Sequence, residues 1–94
     1  MPLLPGVRDM AVAGHVTGAS GRNWTSYGAE VVLSQGFARA DRDLLADPQT
    51  SGGLLVSCTR ESVDAVLAIF RAGGFEQAAV IGHVETGAAR LVVR

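Results

Sequence analysis

Apolar positions recur at two spacings along this chain, and the two together predict a mixed architecture. Val7, Met10 and Ala11 fall at i, i+3 and i+4. With Pro5 suited to a first helical turn and Gly14 to a left-handed stop, they predict a short helix over Pro5–Ala13. The Ala38–Ala46 stretch predicts a second helix with Leu44 and Leu45 facing inward, ended by Pro48. The longest helical stripe is Val63, Val66, Leu67 and Phe70. It predicts a helix over Arg60–Ala72, capped by Thr59 and stopped by Gly73 and Gly74.

Four apolar runs predict strands: Ala29–Ser34, Gly53–Cys58, Ala78–Glu85 and, after a Thr86-Gly87 turn, Ala89–Val93. The near-continuous Leu54-Leu55-Val56 run suits a strand buried on both faces. The strands on either side of the long helix are expected to pair or lie near each other in one sheet. Residues His15–Gly28 show no period. Gly18, Gly21 and Gly28 lie among Thr17, Ser20, Asn23, Thr25 and Ser26, so this stretch reads as a long loop, pinned by Trp24 and Tyr27. The fold class expected is α+β, a β-sheet packed by helices, with a β-α-β-β second half. No internal repeat or low-complexity tract is visible.

Composition narrows the functions. The chain has 94 residues, enough for one domain with one modest core. An apolar share of 48% argues against disorder. Eight arginines face nine acids with no lysine, and the net charge of −1 carries no basic excess for nucleic acid or anionic membrane. The single cysteine, Cys58, forms no internal disulfide and excludes a multi-cysteine zinc site. Apolar runs of about six residues are far below the roughly 20 needed to cross a bilayer. The N-terminus lacks the basic and apolar regions of a signal peptide. A soluble, cytoplasmic protein is expected.

The most distinctive motif is Asp47-Pro48-Gln49-Thr50-Ser51-Gly52-Gly53-Leu54-Leu55. Thr50, Ser51, Gly52 and Gly53 form a tight turn entering a strand, and such a turn can present backbone N–H groups to an anion. The glycines equally serve a purely structural end by letting another backbone approach. It is not a Walker A loop: no lysine follows, and a strand rather than a helix comes next. In the Thr17–Trp24 loop, Arg22 has the planar fork that pairs with phosphate and Asn23 can cap a turn or hold a ligand, although a plain surface loop accounts for both. His83 reads as a hydrogen-bonded sheet residue and Cys58 as a small core residue. Asp41, Asp43 and Asp47 do not have calcium-loop spacing and read as solvated acids.

The string DPQTSGGLL, followed by a helix and by Ala78-Ala79-Val80-Ile81-Gly82-His83-Val84, resembles the C-terminal end of the selenide, water dikinase (selenophosphate synthetase) family. Pro2-Leu3-Leu4-Pro5-Gly6, Gly14-His15-Val16 and Gly21-Arg22-Asn23-Trp24 are similar to that family in the same order, so the resemblance covers essentially the whole chain. The Thr17–Asn23 loop departs from the family's usual glycine and threonine positions. The resemblance implies an aminoimidazole ribonucleotide synthetase-like C-terminal domain, with residues 1–94 forming a single, partial domain. It implies an enzyme that makes selenophosphate, AMP and phosphate from selenide, ATP and water, with Mg²⁺.

It also implies that the reactive cysteine or selenocysteine, a neighbouring lysine and most metal-binding aspartates lie in an N-terminal domain that this chain does not match. Without those groups the chain alone is expected to be inactive and to bind neither ATP nor Mg²⁺ tightly. No catalytic or metal-ligating residue is assigned. The ligand contacts expected are Thr50, Ser51, Gly52 and Gly53, then Arg22 and Asn23. The expected partner is an N-terminal portion or another copy of the chain. The alternative is a non-catalytic binding or oligomerisation module; an independent enzyme using Cys58 or the histidines is a third, weaker reading.

Overall fold

A computed structural model describes all residues, Met1–Arg94. The element order is α1 (Val7–Val12), α2 (Gly18–Tyr27), β1 (Val31–Leu33), α3 (Arg39–Leu45), α4 (Val63–Ala72) and β2 (Leu91–Val93). Short 3₁₀ turns at Gly28–Glu30 and Arg60–Ser62 lead into β1 and α4. The chain divides into two compact units, each described by itself: one of Leu4–Ser51 with Thr86–Arg94, the other of Met1–Leu3 with Gly52–Glu85.

In the first unit, β1 and β2 form a two-stranded parallel sheet with Val31 opposite Leu91, Val32 opposite Val92 and Leu33 opposite Val93. The Ser34 N–H extends the ladder by donating to the Val93 carbonyl at 3.0 Å. Helices α1 and α2 both pack on α3. Gly6 at φ 80° opens α1, and Gly14 at φ 92° turns the chain after it, a region that costs side-chain-bearing residues energy. The α1–α3 contact is tied by a bidentate pair: Arg8 Nε and Nη2 donate to the two Asp41 carboxylate oxygens at 2.7 and 2.9 Å.

The core is small and partly polar. Ala11, Ala46, Ser20 and Asp43 are its buried residues. Asp43 was expected in water, but it faces inward between two arginines: Arg42 donates through Nε at 3.1 Å and Nη2 at 2.7 Å, and Arg39 Nε lies at 3.5 Å. A charge this deep is held only by such pairing. Leu45, expected inside, is 40% exposed instead.

The largest departure is α2. Residues His15–Gly28 read as a loop, yet Gly18–Tyr27 is a ten-residue helix. Its start is a side-chain cap: the Ser20 N–H donates to Thr17 Oγ1 at 3.3 Å. Thr25 and Ser26 then donate their hydroxyls to the Gly21 and Arg22 carbonyls, both at 3.0 Å, so polar side chains that compete with helices elsewhere are absorbed within the turn.

In the second unit the predicted helix forms as the Arg60–Ser62 turn and α4, ending at Gly73 with Gly74 at φ 88°. Phe70 and Phe75 meet edge to face, centroids 6.3 Å apart, where the chain reverses. The Val63, Val66, Leu67, Phe70 stripe is half-buried rather than buried. The α+β class holds, and the last predicted strand forms as β2. The strands expected over Gly53–Cys58 and Ala78–Glu85 do not form: neither stretch has regular structure, and none of residues 53–58 or 79–85 makes a backbone–backbone hydrogen bond. β1 pairs with β2 instead. Cys58 is exposed rather than in a core. His83 is also exposed and, in place of a sheet partner, meets the Glu85 carboxylate at 2.7 Å.

Candidate functional site

The Asp47–Ser51 stretch of the distinctive motif is fastened to the start of α2 by side chains. The Ser20 hydroxyl, 1% exposed at the residue level, donates to Asp47 Oδ1 at 3.1 Å. The Thr17 hydroxyl donates to the same oxygen at 3.4 Å, and Gln49 Nε2 donates to Asp47 Oδ2. The Thr17 and Ser20 hydroxyls are themselves 3.1 Å apart. Asp47 thus sits at the N-terminus of α2, where the helix dipole favours a negative charge. The carboxylate is a built-in anion there, and the arrangement is a fastening: two hydroxyls and an amide converge on an acid, with no histidine or lysine to act as base.

One turn along, Asn23 Nδ2 donates to the Ala46 carbonyl at 2.9 Å and so closes the C-terminal end of α3. Asn23 was expected as a ligand contact, and one of its amide N–H groups is committed to this carbonyl. Trp24 carries the Arg42 guanidinium at 5.2 Å from its ring centroid. Trp24, Tyr27, Val31, Leu45, Ala46, Leu91 and Val93 line an apolar hollow of about 100 Å³ where α2, α3 and both strands meet.

The remaining expected contacts are not gathered into a site. Thr50, Ser51, Gly52 and Gly53 are all exposed, with Thr50 and Ser51 in a turn that closes the first unit and Gly52 and Gly53 opening the second. Neither glycine has a positive φ, so no left-handed conformation requires glycine at those two positions. Arg22 is exposed on α2. Of the acids, Asp41 is held below the usual carboxylate range, first by its hydrogen bond from Arg8 and then by that residue's charge. Glu61 is lowered by its own backbone N–H and by the Thr59 hydroxyl. No group of three or more His, Cys, Asp or Glu side chains is placed to hold a metal ion. The residues present do not make a magnesium site by themselves, since Asp41, Asp43 and Asp47 already serve arginines, hydroxyls and an amide.

Sequence reasoning missed Ser20 and Thr17. Their signal was the polar face itself: Ser20, Asn23, Trp24 and Tyr27 fall at i, i+3, i+4 and i+7, a helical stripe in which two members are polar. Thr17 three positions before Ser20 is a helix-start signature.

The family described as AIR synthase related protein, C-terminal domain, matches residues 6–94. The chain belongs to that family. Among curated relatives, a selenide, water dikinase of Pseudomonas straminea is 55% identical over 93 residues, 99% of this chain and 26% of the relative. One from Burkholderia pseudomallei is 55% identical over the same shares. One from Rhizobium meliloti is 47% identical over 99% of this chain and 27% of its own length. The chain therefore spans about a quarter of the length of the curated relatives it matches. No solved structure matches. No helix of this AIR synthase-related domain is long and apolar enough to cross a membrane.

Proposed function

We propose that this chain is the C-terminal portion of a selenide, water dikinase, and that selenophosphate formation from selenide, ATP and water belongs to an assembly in which further polypeptide supplies the Mg²⁺ and nucleotide groups. The observation that carries the reading is 55% identity sustained over 99% of the chain. The chain's own part is scaffolding: Asp47, Ser20, Thr17 and Gln49 fix the motif turn on α2, leaving Thr50, Ser51, Gly52, Gly53 and Arg22 exposed for ligand contact. Asn23 spends one amide N–H on the Ala46 carbonyl, which leaves its second N–H and its Oδ1 for ligand contact. Phosphoryl transfer depends on cations that neutralise developing charge. Here there is no lysine, and Arg8, Arg39 and Arg42 are committed to Asp41 and Asp43. The chain alone is inactive on this reading, and its place is the cytoplasm, where selenide and thiols stay reduced.

The test is an AMP-formation assay with ATP, Mg²⁺ and selenide, run on the purified chain and on the chain co-expressed with polypeptide equivalent to the rest of the relatives. Selenide-dependent AMP only from the co-expressed pair is expected. Turnover by the chain alone, or none from the pair when the full-length relative is active in the same assay, refutes the proposal.

A further inference from the structure

Residues Gly52–Glu85 form most of the second unit, a run of fewer than about 40 residues; chains below that size usually need disulfides, a metal or association to stay folded. The only cysteine, Cys58, is free and exposed, and no group of side chains is placed to hold a metal. None of these residues is buried: Ser62, Val63, Val66, Leu67, Phe70 and Ala78 are half-buried and the rest are exposed. Helix α4 has ten residues, and isolated helices shorter than about 12–15 residues are marginal in water. On either side of it, residues 53–58 and 79–85 make no backbone–backbone hydrogen bond.

The first unit is held differently. Its side chains bond across 23 to 33 residues of sequence, from Asn23 to Ala46, Ser20 to Asp47 and Arg8 to Asp41. It contains every buried residue of the chain and the β1–β2 ladder. The chain crosses between the units at Leu3–Leu4, Ser51–Gly52 and Glu85–Thr86. Gly53 and Gly87 stand beside the last two crossings. Neither has a positive φ, and a β-carbon on either meets nothing within 4 Å. What glycine supplies there is backbone freedom. The cost of closing a loop grows slowly with its length, so an opened Gly52–Glu85 stretch can lead from the motif turn to β2 with the ladder still paired.

We infer that Gly52–Glu85 opens as one cooperative stretch while the first unit stays folded, with the joint inside the distinctive motif, between Ser51 and Gly52. The half of the motif before the joint stays fastened to α2 through Asp47, and Gly52 and Gly53 go with the opening stretch. Segments that bind ligands or switch are drawn from the low-stability end of a fold. On the function proposed above, ligand contact by Gly52 and Gly53 is available in the closed fraction alone. The opening itself does not rest on that function. It is read from hydrogen exchange without ligand and turnover from AMP, so either can fail without the other.

The experiment is native-state amide hydrogen exchange by NMR on the whole chain, from zero to low urea, for the wild type, Leu67→Ala and Arg8→Met. The α4 amides of Leu67 to Phe70 are expected to be at least about tenfold less protected than those of Ser34, Arg42 and Ala46, and to share one urea dependence. Leu67→Ala is expected to lower α4 protection further and leave Ser34 and Ala46 unchanged. Arg8→Met is expected to do the reverse, lowering Arg42 and Ala46 and leaving α4 as it was. Equal protection in α4 and the first unit overturns the inference, since the chain then opens as a whole. So do α4 amides with no common urea dependence, which report fraying, and α4 amides with no protection at all, which report no closed state. A Leu67→Ala effect on Ser34 and Ala46 as large as that on α4 overturns it as well.

Discussion

Replacing Gly28 by alanine is expected to lower stability, although its backbone gives no warning of it. Gly28 has φ −61° and ψ −23°, ordinary right-handed geometry that alanine adopts freely. The obstacle is lateral. A β-carbon there lies 2.7 Å from Trp24 Cε2, 2.9 Å from Cδ2 and 3.0 Å from Nε1. These atoms belong to the body of the indole rather than to a flexible tip, so the ring must swing as a whole. Arg42 rests on that ring and the ring walls the apolar hollow, so neighbours move with it. Overpacking of this kind costs about 1–3 kcal/mol, and disturbing the cation–π contact adds about 0.5–1 kcal/mol. At roughly 4–8 °C per kcal/mol for a domain of this size, the melting temperature falls by roughly 6–30 °C. Gly21 is the internal comparison: it lies in the interior of α2, and a β-carbon there meets nothing within 4 Å. Gly21→Ala should therefore gain about 0.5–1 kcal/mol by reducing the freedom of the unfolded chain and removing a helix-interior glycine. Both variants are melted by far-UV circular dichroism and by fluorescence of the single tryptophan. A Gly28→Ala protein as stable as Gly21→Ala refutes the close approach of Gly28 to Trp24.

Asp47→Ala removes the carboxylate that the buried Ser20 and the Thr17 hydroxyls both donate to, leaving them only each other at 3.1 Å, and is expected to cost about 1–3 kcal/mol in urea unfolding. Ser20→Ala combined with it should cost less than the sum of the two single changes, and strict additivity would deny the pairing. For Asp41, the folded carboxyl titrates below its unfolded value because Arg8 favours the ionised form. The Arg8 contribution is thus present above the unfolded value near pH 4 and is lost as pH falls through the lower folded value. Titration of the Asp41 carboxyl by NMR should show a midpoint under the ordinary range that rises in Arg8→Met; an unmoved midpoint rejects the bidentate pair in solution.

The helices were more legible in the sequence than the sheet or the site, and the reason lies in where each element finds its hydrogen bonds. A helix closes its backbone within a few residues, so local signals such as the Val63, Val66, Leu67, Phe70 stripe and the Gly73-Gly74 stop suffice to place α4. Periodicity missed the helix whose inward face is polar, α2, whose Ser20 and Asn23 bond to Asp47 and Ala46 instead of contributing apolar area. The same misreading put Asp43 in solvent, because its arginine partners, one turn back and immediately adjacent, carry no apolar signal. The motif turn was singled out by its glycines, yet its anchor is Asp47 at its leading end, an acid whose two hydroxyl partners lie 27 and 30 residues away.

Strands are different because their hydrogen bonds come from elsewhere. Val31-Val32-Leu33 and Leu91-Val92-Val93 pair across about sixty residues of sequence, and nothing local distinguishes them from Leu54-Leu55-Val56 or Val80-Ile81, which have equal strand character and no ladder. An apolar run states a capacity to pair. Whether it pairs depends on a neighbour that also offers an edge. The two silent runs lie in the unit whose helix α4 has no buried residue.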